Sequence, residues 1–238
     1  MSIFAISDLH LSENTNKSME VFGEKWLGYT EKLFDNWKKT VSEDDTVVIG
    51  GDVSWEMNLK NCVKDFEFIH NLPGKKIISK GNHDYWWETV TKMKKFISEN
   101  GFSSIDFLYN NFFVAENVAI CGTRWFEDPE SENFKKDDLK IYNHELIRLE
   151  NSLKESKKSG CKNTLVVLHY PPFTPDGKVN NDIKNIFSEY NVEKCIYGHL
   201  HGKGLKNVKE GCFFGTNYHL TSADYLNFLP IHINFEKI

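Results

Sequence analysis

The chain has 238 residues, of which 40% are hydrophobic and 26% are charged, as expected for a globular protein with one large core. Its formal net charge of −5 argues against nonspecific electrostatic binding of nucleic acid. Its apolar runs are far shorter than the roughly 20 residues of a membrane-spanning helix. The five cysteines are scattered and form no C-x-x-C pair, so we expect reduced thiols in a cytoplasmic protein.

The first hundred residues alternate between short apolar runs and segments with helical periodicity. Three runs are predicted to be buried parallel strands: residues 3–6, 46–49 and 76–79. Three segments are predicted to be helices: residues 26–41, 63–70 and 88–99. The first run is short, lacks a basic leader and continues directly into Asp8, so we interpret it as a strand and not as a signal peptide.

The middle and the end of the chain contain more short strands. Hairpin turns at Asn110-Asn111 and Glu116-Asn117 are predicted to join three strands: residues 107–109, 112–114 and 118–121. A long charged helix ending near Ser159-Gly160 is followed by a strand, a helix and a strand: residues 164–168, 179–190 and 195–197. Two antiparallel strands, at 211–215 and 231–235, complete the chain.

This pattern predicts helices packed outside a core of sheets. We expect an α/β (α+β-like) fold, a four-layer αββα sandwich of two mixed sheets flanked by helices, in a single domain over residues 1–238.

Five polar clusters each follow a predicted strand. They are Asp8-Leu9-His10, Gly51-Asp52, Gly81-Asn82-His83-Asp84, His169 and Gly198-His199-Leu200-His201. Because ligands of open α/β sheets gather beyond the carboxyl ends of the strands, we expect these clusters to meet. The glycines before Asp52, Asn82 and His199 are expected to supply the positive φ angles of tight turns.

The clusters combine carboxylate and amide oxygens with imidazole nitrogens, and they contain no thiolate. This mixture suits Mn, which we expect first, or Fe, Zn, Co or Ni, better than Mg or Ca, which prefer oxygen ligands alone. Two such ions roughly 3.5–4 Å apart can clamp a phosphoryl group and lower the pKa of a bound water. The ligand inventory therefore predicts a two-metal hydrolytic site.

The order D-x-H, G-D, G-N-H-[DE], H and G-H-x-H resembles the calcineurin-like metallophosphoesterase superfamily, with every element present from Asp8 to His201. The resemblance implies a double-sheet sandwich flanked by helices. It also implies a set of metal ligands: Asp8, His10 and His201 for one ion, Asn82, His169 and His199 for the other, and Asp52 bridging both. His83 would be the general acid that protonates the leaving group, and Asp84 would orient its neighbours.

We therefore expect hydrolysis of a small-molecule phosphate mono- or diester by direct attack of metal-bound hydroxide. Gly51-Asp52 is followed by Val53-Ser54-Trp55-Glu56, so the G-D-x-x-D-R-G pattern of Ser/Thr protein phosphatases is absent. The alternative is a catalytically silent scaffold of the same fold that binds protein partners.

Several residues near the motifs have two interpretations. Arg124 is either a surface arginine or a phosphate contact, since a guanidinium can bind two oxygens. Five aromatic residues are either core residues or the lining of a cleft that stacks on an apolar or aromatic substrate group: Trp55, Trp86, Trp87, Trp125 and Phe126.

Overall fold

A computed structural model of the chain describes residues 1–15, 17 and 19–235. Eleven strands lie in this part of the chain: β1 (Ile3–Ile6), β2 (Thr46–Ile49), β3 (Lys75–Ile78), β4 (Ile105–Phe107), β5 (Phe113–Ala115), β6 (Val118–Thr123), β7 (Asn163–Leu168), β8 (Lys194–Tyr197), β9 (Gly211–Phe213), β10 (Thr216–Leu220) and β11 (Ile231–His232). Five α-helices accompany them: α1 (Tyr29–Thr40), α2 (Val63–His70), α3 (Val90–Glu99), α4 (Asp138–Ser156) and α5 (Asn181–Tyr190).

The first sheet has the strand order β11-β1-β2-β3-β4 and is parallel except for β11. Its outer face packs against helices α1, α2 and α3 through a core that includes Trp37, Phe66 and Met93. Because helices cover one face and the second sheet covers the other, both faces of β1 and β2 are buried. This burial explains why these strands are uninterrupted apolar runs.

The second sheet has the order β5-β6-β7-β8-β10-β9, with antiparallel strands only at its two edges. Helices α4 and α5 cover its outer face through residues such as Leu149 and Phe187. A third cluster, including Val48, Ile120 and Val167, lies between the two sheets. The predicted αββα sandwich is therefore confirmed.

Of the two predicted hairpin turns, one is wrong and the other is confirmed. Asn110-Asn111 does not form a hairpin, because β4 pairs with β3 in the first sheet while β5 belongs to the second, so this segment crosses between the sheets. The Asn111 side chain stabilises the crossing by accepting a bond from Tyr109 N and donating one to Phe107 O. The turn at Glu116-Asn117, with φ angles of 50° and 60°, joins β5 to β6 as predicted.

The C-terminal strands also differ from the prediction. Strand β10 was not predicted, yet it pairs in parallel with β8 and extends the second sheet. Its alternating burial is typical of a strand with one buried face, whereas the polar residues Thr216 and Asn217 resemble a turn in the sequence. Pairing of the predicted strand 231–235 is limited to Ile231–His232.

The carboxyl ends of β1, β2, β3, β7 and β8 meet at one edge of the sandwich. Backbone bonds from Gly198 to His169 and from Asp8 to Gly51 connect neighbouring strand ends within each sheet. None of the helices in the described residues is long and apolar enough to cross a membrane.

Candidate metal centre

The loops that follow the strands of this edge contain four non-glycine residues in left-handed backbone conformation. Asp8, His10, Asp52 and His199 have φ angles of 61°, 46°, 52° and 71°. A non-glycine residue held there costs about 1–3 kcal/mol, and such residues concentrate at functional sites. Bonds from Asp8 N to Gly51 O (2.8 Å) and from His10 N to Asp52 O (2.9 Å) hold the strained segments.

The glycines of these loops have different functions. Gly51 has a φ of +95°, as predicted. Gly81 and Gly198 do not have positive φ, so the prediction is wrong for both. At Gly81 the requirement is close approach, because a Cβ there would overlap the backbone nitrogen and the carboxylate of Asp52.

The first ligand group consists of three candidate ligands: Asp8, His10 and His201. Nε2 of His201 lies 3.2 Å from Oδ1 of Asp8 and 3.4 Å from Nε2 of His10. The candidate ligand atoms of all three residues lie within 4.8 Å of one another. Asp8 and His10 are buried, whereas His201 is partly exposed. Side chains from the first and the last of the five predicted clusters thus face one another.

The second ligand group consists of three candidate ligands: Asn82, His169 and His199. Oδ1 of Asn82 lies 2.7 Å from Nε2 of His169 and 2.8 Å from Nδ1 of His199. The two histidine rings are 5.3 Å apart between centroids. Three donor atoms from three different strand ends therefore point to a common position.

Asp52 lies between the two groups. Its Oδ2 is 3.8 Å from Nε2 of His10 and 3.4 Å from Nε2 of His169. Its Oδ1 accepts a hydrogen bond from the backbone nitrogen of His83 at 2.7 Å, so Oδ2 is the oxygen that faces both groups.

Asp8 also approaches His169, at 4.0 Å from Nδ1. That nitrogen, however, is bonded to the carbonyl of Gly50 at 3.0 Å. The bond leaves Nε2 of His169 free toward Asp52 and Asn82. Ligand atoms of Asp8, Asp52 and His169 also lie within 4.8 Å of one another, so both carboxylates border the space between the two groups.

The protonation states suit a cation site. Burial lowers the pKa of His10 and of His199 to about 4, so both rings are neutral near pH 7 and offer a lone pair. Burial alone would raise the pKa of Asp52, but His169 beside it holds the value at about 2. The pKa of Asp8 is likewise held well below its usual range by His201, against the effect of burial.

The pKa values of His169 and His201 are raised. Burial would lower the pKa of His169 and His201, but the carboxylates Asp52 and Asp8 raise the values to about 9 and about 10. The buried carboxylates of Asp8 and Asp52 thus favour positive charge at this position. Carboxylate, imidazole and amide donors together suit divalent transition ions, and the fit of the site to such ions is good.

Asp84 connects the loops that carry these ligands. Its carboxylate accepts bonds from three backbone nitrogens, those of Gly81 (2.7 Å), Asp52 (2.9 Å) and Val53 (2.8 Å). The indole nitrogen of Trp86 donates a fourth bond at 3.0 Å. The side chain is buried, and it fixes the loop after β2 against the loop after β3.

His83 lies at the edge of the centre and is half-buried. Its ring centroid is 4.6 Å from that of Trp55 and 5.8 Å from that of His10. Its Nδ1 atom is buried and has no hydrogen-bond partner within the described part of the chain.

The side chain of Arg124 contacts an acidic residue and an aromatic ring. Its Nη2 is 3.9 Å from Oε1 of Glu145, and its guanidinium lies over the ring of Phe126 at 5.3 Å. Its carbonyl accepts bonds from the backbone nitrogens of His169 and Tyr170, which positions the loop that carries His169.

The aromatic residues beside the motifs divide into two sets. Trp86 and Trp125 are fully buried core residues, so a cleft lined by all five is not formed. Trp55, Trp87 and Phe126 are half-buried. The ring of Trp55 stacks on His10 at 4.9 Å, directly beside the centre.

Two residues near the centre were not predicted from the sequence. Oδ1 of Asp224 lies 2.7 Å from Nδ1 of His201, and the ring of Tyr170 lies 4.2 Å from that of His199. Asp224 belongs to no motif and follows β10, a strand that the sequence pattern does not indicate. The only signal for Tyr170 is its position immediately after His169.

Solved structures with the same fold have low sequence identity to this chain. A protein of unknown function, AQ665 from Aquifex aeolicus, is 19% identical with a TM-score of 0.51, over 97% of this chain and 95% of that one. Phosphopantetheinyl hydrolase from Mycobacterium tuberculosis is 12% identical with a TM-score of 0.56, over 98% and 95%. The protein TT1561 of Thermus thermophilus is 11% identical with a TM-score of 0.59, over 98% and 97%.

At these identities the solved structures establish the fold alone, and no match was found among curated proteins. The family model for calcineurin-like phosphoesterases, in contrast, matches residues 1–203, which include both ligand groups. The chain belongs to the calcineurin-like phosphoesterase family.

Proposed function

We propose that this protein is a hydrolase that cleaves a phosphate mono- or diester at a centre of two divalent metal ions, with Mn as the first candidate ion. Family membership supports phosphoesterase activity, and proteins of this family generally bind divalent metal ions. The observation that carries the proposal is the meeting of two ligand groups around the buried carboxylate of Asp52.

In this proposal each ion has its own set of ligands. The first ligand group would hold one ion, the second ligand group would hold the other, and Asp52 would contact both. Bound ions would polarise the phosphoryl oxygens and lower the pKa of a nearby water. The tight hydrogen bonding of Asp84 and of Gly50 keeps the ligand atoms in place, which limits the reorganisation needed on binding.

The reaction itself adds water to phosphorus. A new P–O bond forms from the water oxygen, which releases one proton to solvent, the P–O bond to the leaving group breaks, and the leaving oxygen takes a proton. His83 would supply this proton, since its half-buried ring lies beside the first ligand group and between Trp55 and Tyr85. Arg124 would contact a phosphoryl oxygen by relaxing its 3.9 Å contact with Glu145.

Hydrolysis of p-nitrophenyl phosphate and bis(p-nitrophenyl) phosphate tests the proposal. Protein stripped of metal with a chelator should be inactive, and added Mn should restore turnover of at least one substrate. His10→Ala, which removes a ligand from the first group, should lower this turnover. The matched control is His144→Ala, which changes an exposed histidine on α4. Absence of Mn-dependent turnover in the unmodified protein would contradict the proposal.

A further inference from the structure

A cavity of about 380 Å³ opens beside the second ligand group. His199 and Leu200 form one end, and the cavity continues along the rings of Tyr170, Phe126 and Phe173. Its volume is within the range of small-molecule sites. The candidate centre therefore has room for an organic group on the side of His199.

One wall of this cavity is a series of half-buried rings. The ring of Tyr170 lies 4.2 Å from that of His199, and the ring of Phe126 lies 5.5 Å from that of Tyr170. The hydroxyl of Tyr170 forms no hydrogen bond with any described residue. This wall thus offers aromatic faces and one free hydroxyl, which suit an organic substituent better than a phosphoryl group. Charged residues form much of the remaining lining: Glu127, Asp128, Asp176, Lys206 and Lys209.

A second apolar surface lies beside the first ligand group. Trp55 stacks on His10, and its ring is 4.6 Å from that of His83. Tyr85 is 55% exposed, with its ring 6.1 Å from that of His83. The candidate general acid is therefore next to apolar surface, as a site for a leaving group requires.

Given the proposed function, we infer that the centre prefers phosphodiesters to phosphomonoesters. One ester substituent occupies the cavity along Tyr170 and Phe126 and is retained on phosphorus. The other is the leaving group, which departs past His83 and Trp55. Hydrolysis converts the diester and water into an alcohol or phenol and a phosphomonoester, with the proton on the leaving oxygen coming from His83.

Three substrates with one leaving group test this inference: p-nitrophenyl phosphate, bis(p-nitrophenyl) phosphate and thymidine 5′-p-nitrophenyl phosphate. Because each releases p-nitrophenolate, differences in rate report on the retained part of the substrate. With Mn supplied, we expect kcat/KM to be about tenfold or more higher for the two diesters than for the monoester.

Substitutions of the cavity wall test where the retained group binds. Tyr170→Ala and Phe126→Ala should each raise KM for thymidine 5′-p-nitrophenyl phosphate about fivefold, the effect expected for loss of one aromatic contact. KM for p-nitrophenyl phosphate, which has no retained ester group, should rise less in both variants. Phe126→Ala leaves the ring beside His199 in place, so it separates substrate binding from damage to the ligands. Tyr190→Ala, at the end of α5 and outside the cavity, is the matched control.

The outcomes separate this inference from the proposed function. Faster hydrolysis of the monoester would overturn the inference and leave the proposed function standing. Equal changes in KM for monoester and diester in both variants would overturn the placement of the retained group. No hydrolysis of any of the three would contradict both.

Discussion

Nδ1 of His201 lies 2.7 Å from Oδ1 of Asp224, a buried carboxylate 23 residues further along the chain. The bond makes Nδ1 the donor, so Nε2 is the nitrogen that faces Asp8 and His10. Asp224 lies beyond residues 1–203, the part of the chain that matches the family model. A carboxylate behind a histidine ligand fixes its orientation and raises its basicity.

Replacement of Asp224 should weaken binding of the ion in the first ligand group. Asp224→Ala should lower Mn affinity by about 10- to 100-fold, and Asp224→Asn by less, because the amide oxygen still accepts the Nδ1 hydrogen. Calorimetric titration of metal-free protein with Mn measures both values. Asp176→Asn, at an exposed loop position, is the control. Unchanged affinity in Asp224→Ala would remove Asp224 from its positioning role.

The network of Asp84 should contribute to stability as well as to the site. Asp84→Asn replaces one carboxylate oxygen by an amide nitrogen and so places a donor against backbone N–H groups that now donate to it. We expect the free energy of unfolding to fall by about 3 kcal/mol, as for loss of buried bonds to a charged group. Urea unfolding in the presence of a chelator measures this change without the contribution of bound metal.

The control for Asp84 is Asp106→Asn, which removes a partly exposed carboxylate paired with Lys94. Exposed ion pairs contribute about 0–1 kcal/mol, so this variant should unfold almost as the unmodified protein does. Equal stability of the two variants would show that Asp84 does not hold the loops together.

The close contact between Gly81 and Asp52 predicts that adding one methyl group at position 81 lowers stability and metal binding. Gly81→Ala should reduce both stability and metal binding, because its Cβ cannot be accommodated without moving the Asp52 backbone. Gly204→Ala is the matched control, since a Cβ there would meet only Leu200 at an ordinary distance of 3.6 Å. Metal content after gel filtration and thermal unfolding measure the two effects. Similar behaviour of both variants would contradict the close approach.

His83→Phe should separate catalysis from metal binding. We expect turnover of bis(p-nitrophenyl) phosphate to fall while Mn content stays unchanged, because the side chain of His83 is assigned to no ion. The loss should be larger, about 100-fold or more, for diphenyl phosphate, whose phenolate leaving group depends more on protonation. His144→Phe is the control. An equal loss for both substrates would exclude His83 as the proton donor.

The sequence predicts the architecture well where one local signal is sufficient. Uninterrupted apolar runs identify β1, β2, β7 and β8, because strands covered on both faces need apolar residues at every position. The turn at Glu116-Asn117 is also local, since both residues tolerate positive φ. The segment at Asn110-Asn111 has the same signal, but its strands pair with different partners, and pairing is decided by tertiary contacts.

In the candidate site, too, local motifs can be identified from the sequence, whereas features that depend on tertiary packing cannot. The motifs indicate which side chains meet, and the structure brings the seven candidate ligands together. Asp224 and the cavity along Tyr170 are not visible in the sequence, because they depend on how β10 and the loop after β7 pack against the centre. The ligand and catalytic roles themselves stay predictions, as does the extent of the domain over residues 1–238.

Metal content tests the central claim most directly. Metal-free protein incubated with Mn and then desalted should retain two ions per chain by elemental analysis. His10→Ala and Asn82→Ala should each retain one ion, and Asp52→Asn should weaken the binding of both. A single ion or none in the unmodified protein, or undiminished binding of two ions in Asp52→Asn, would contradict a binuclear centre built around Asp52.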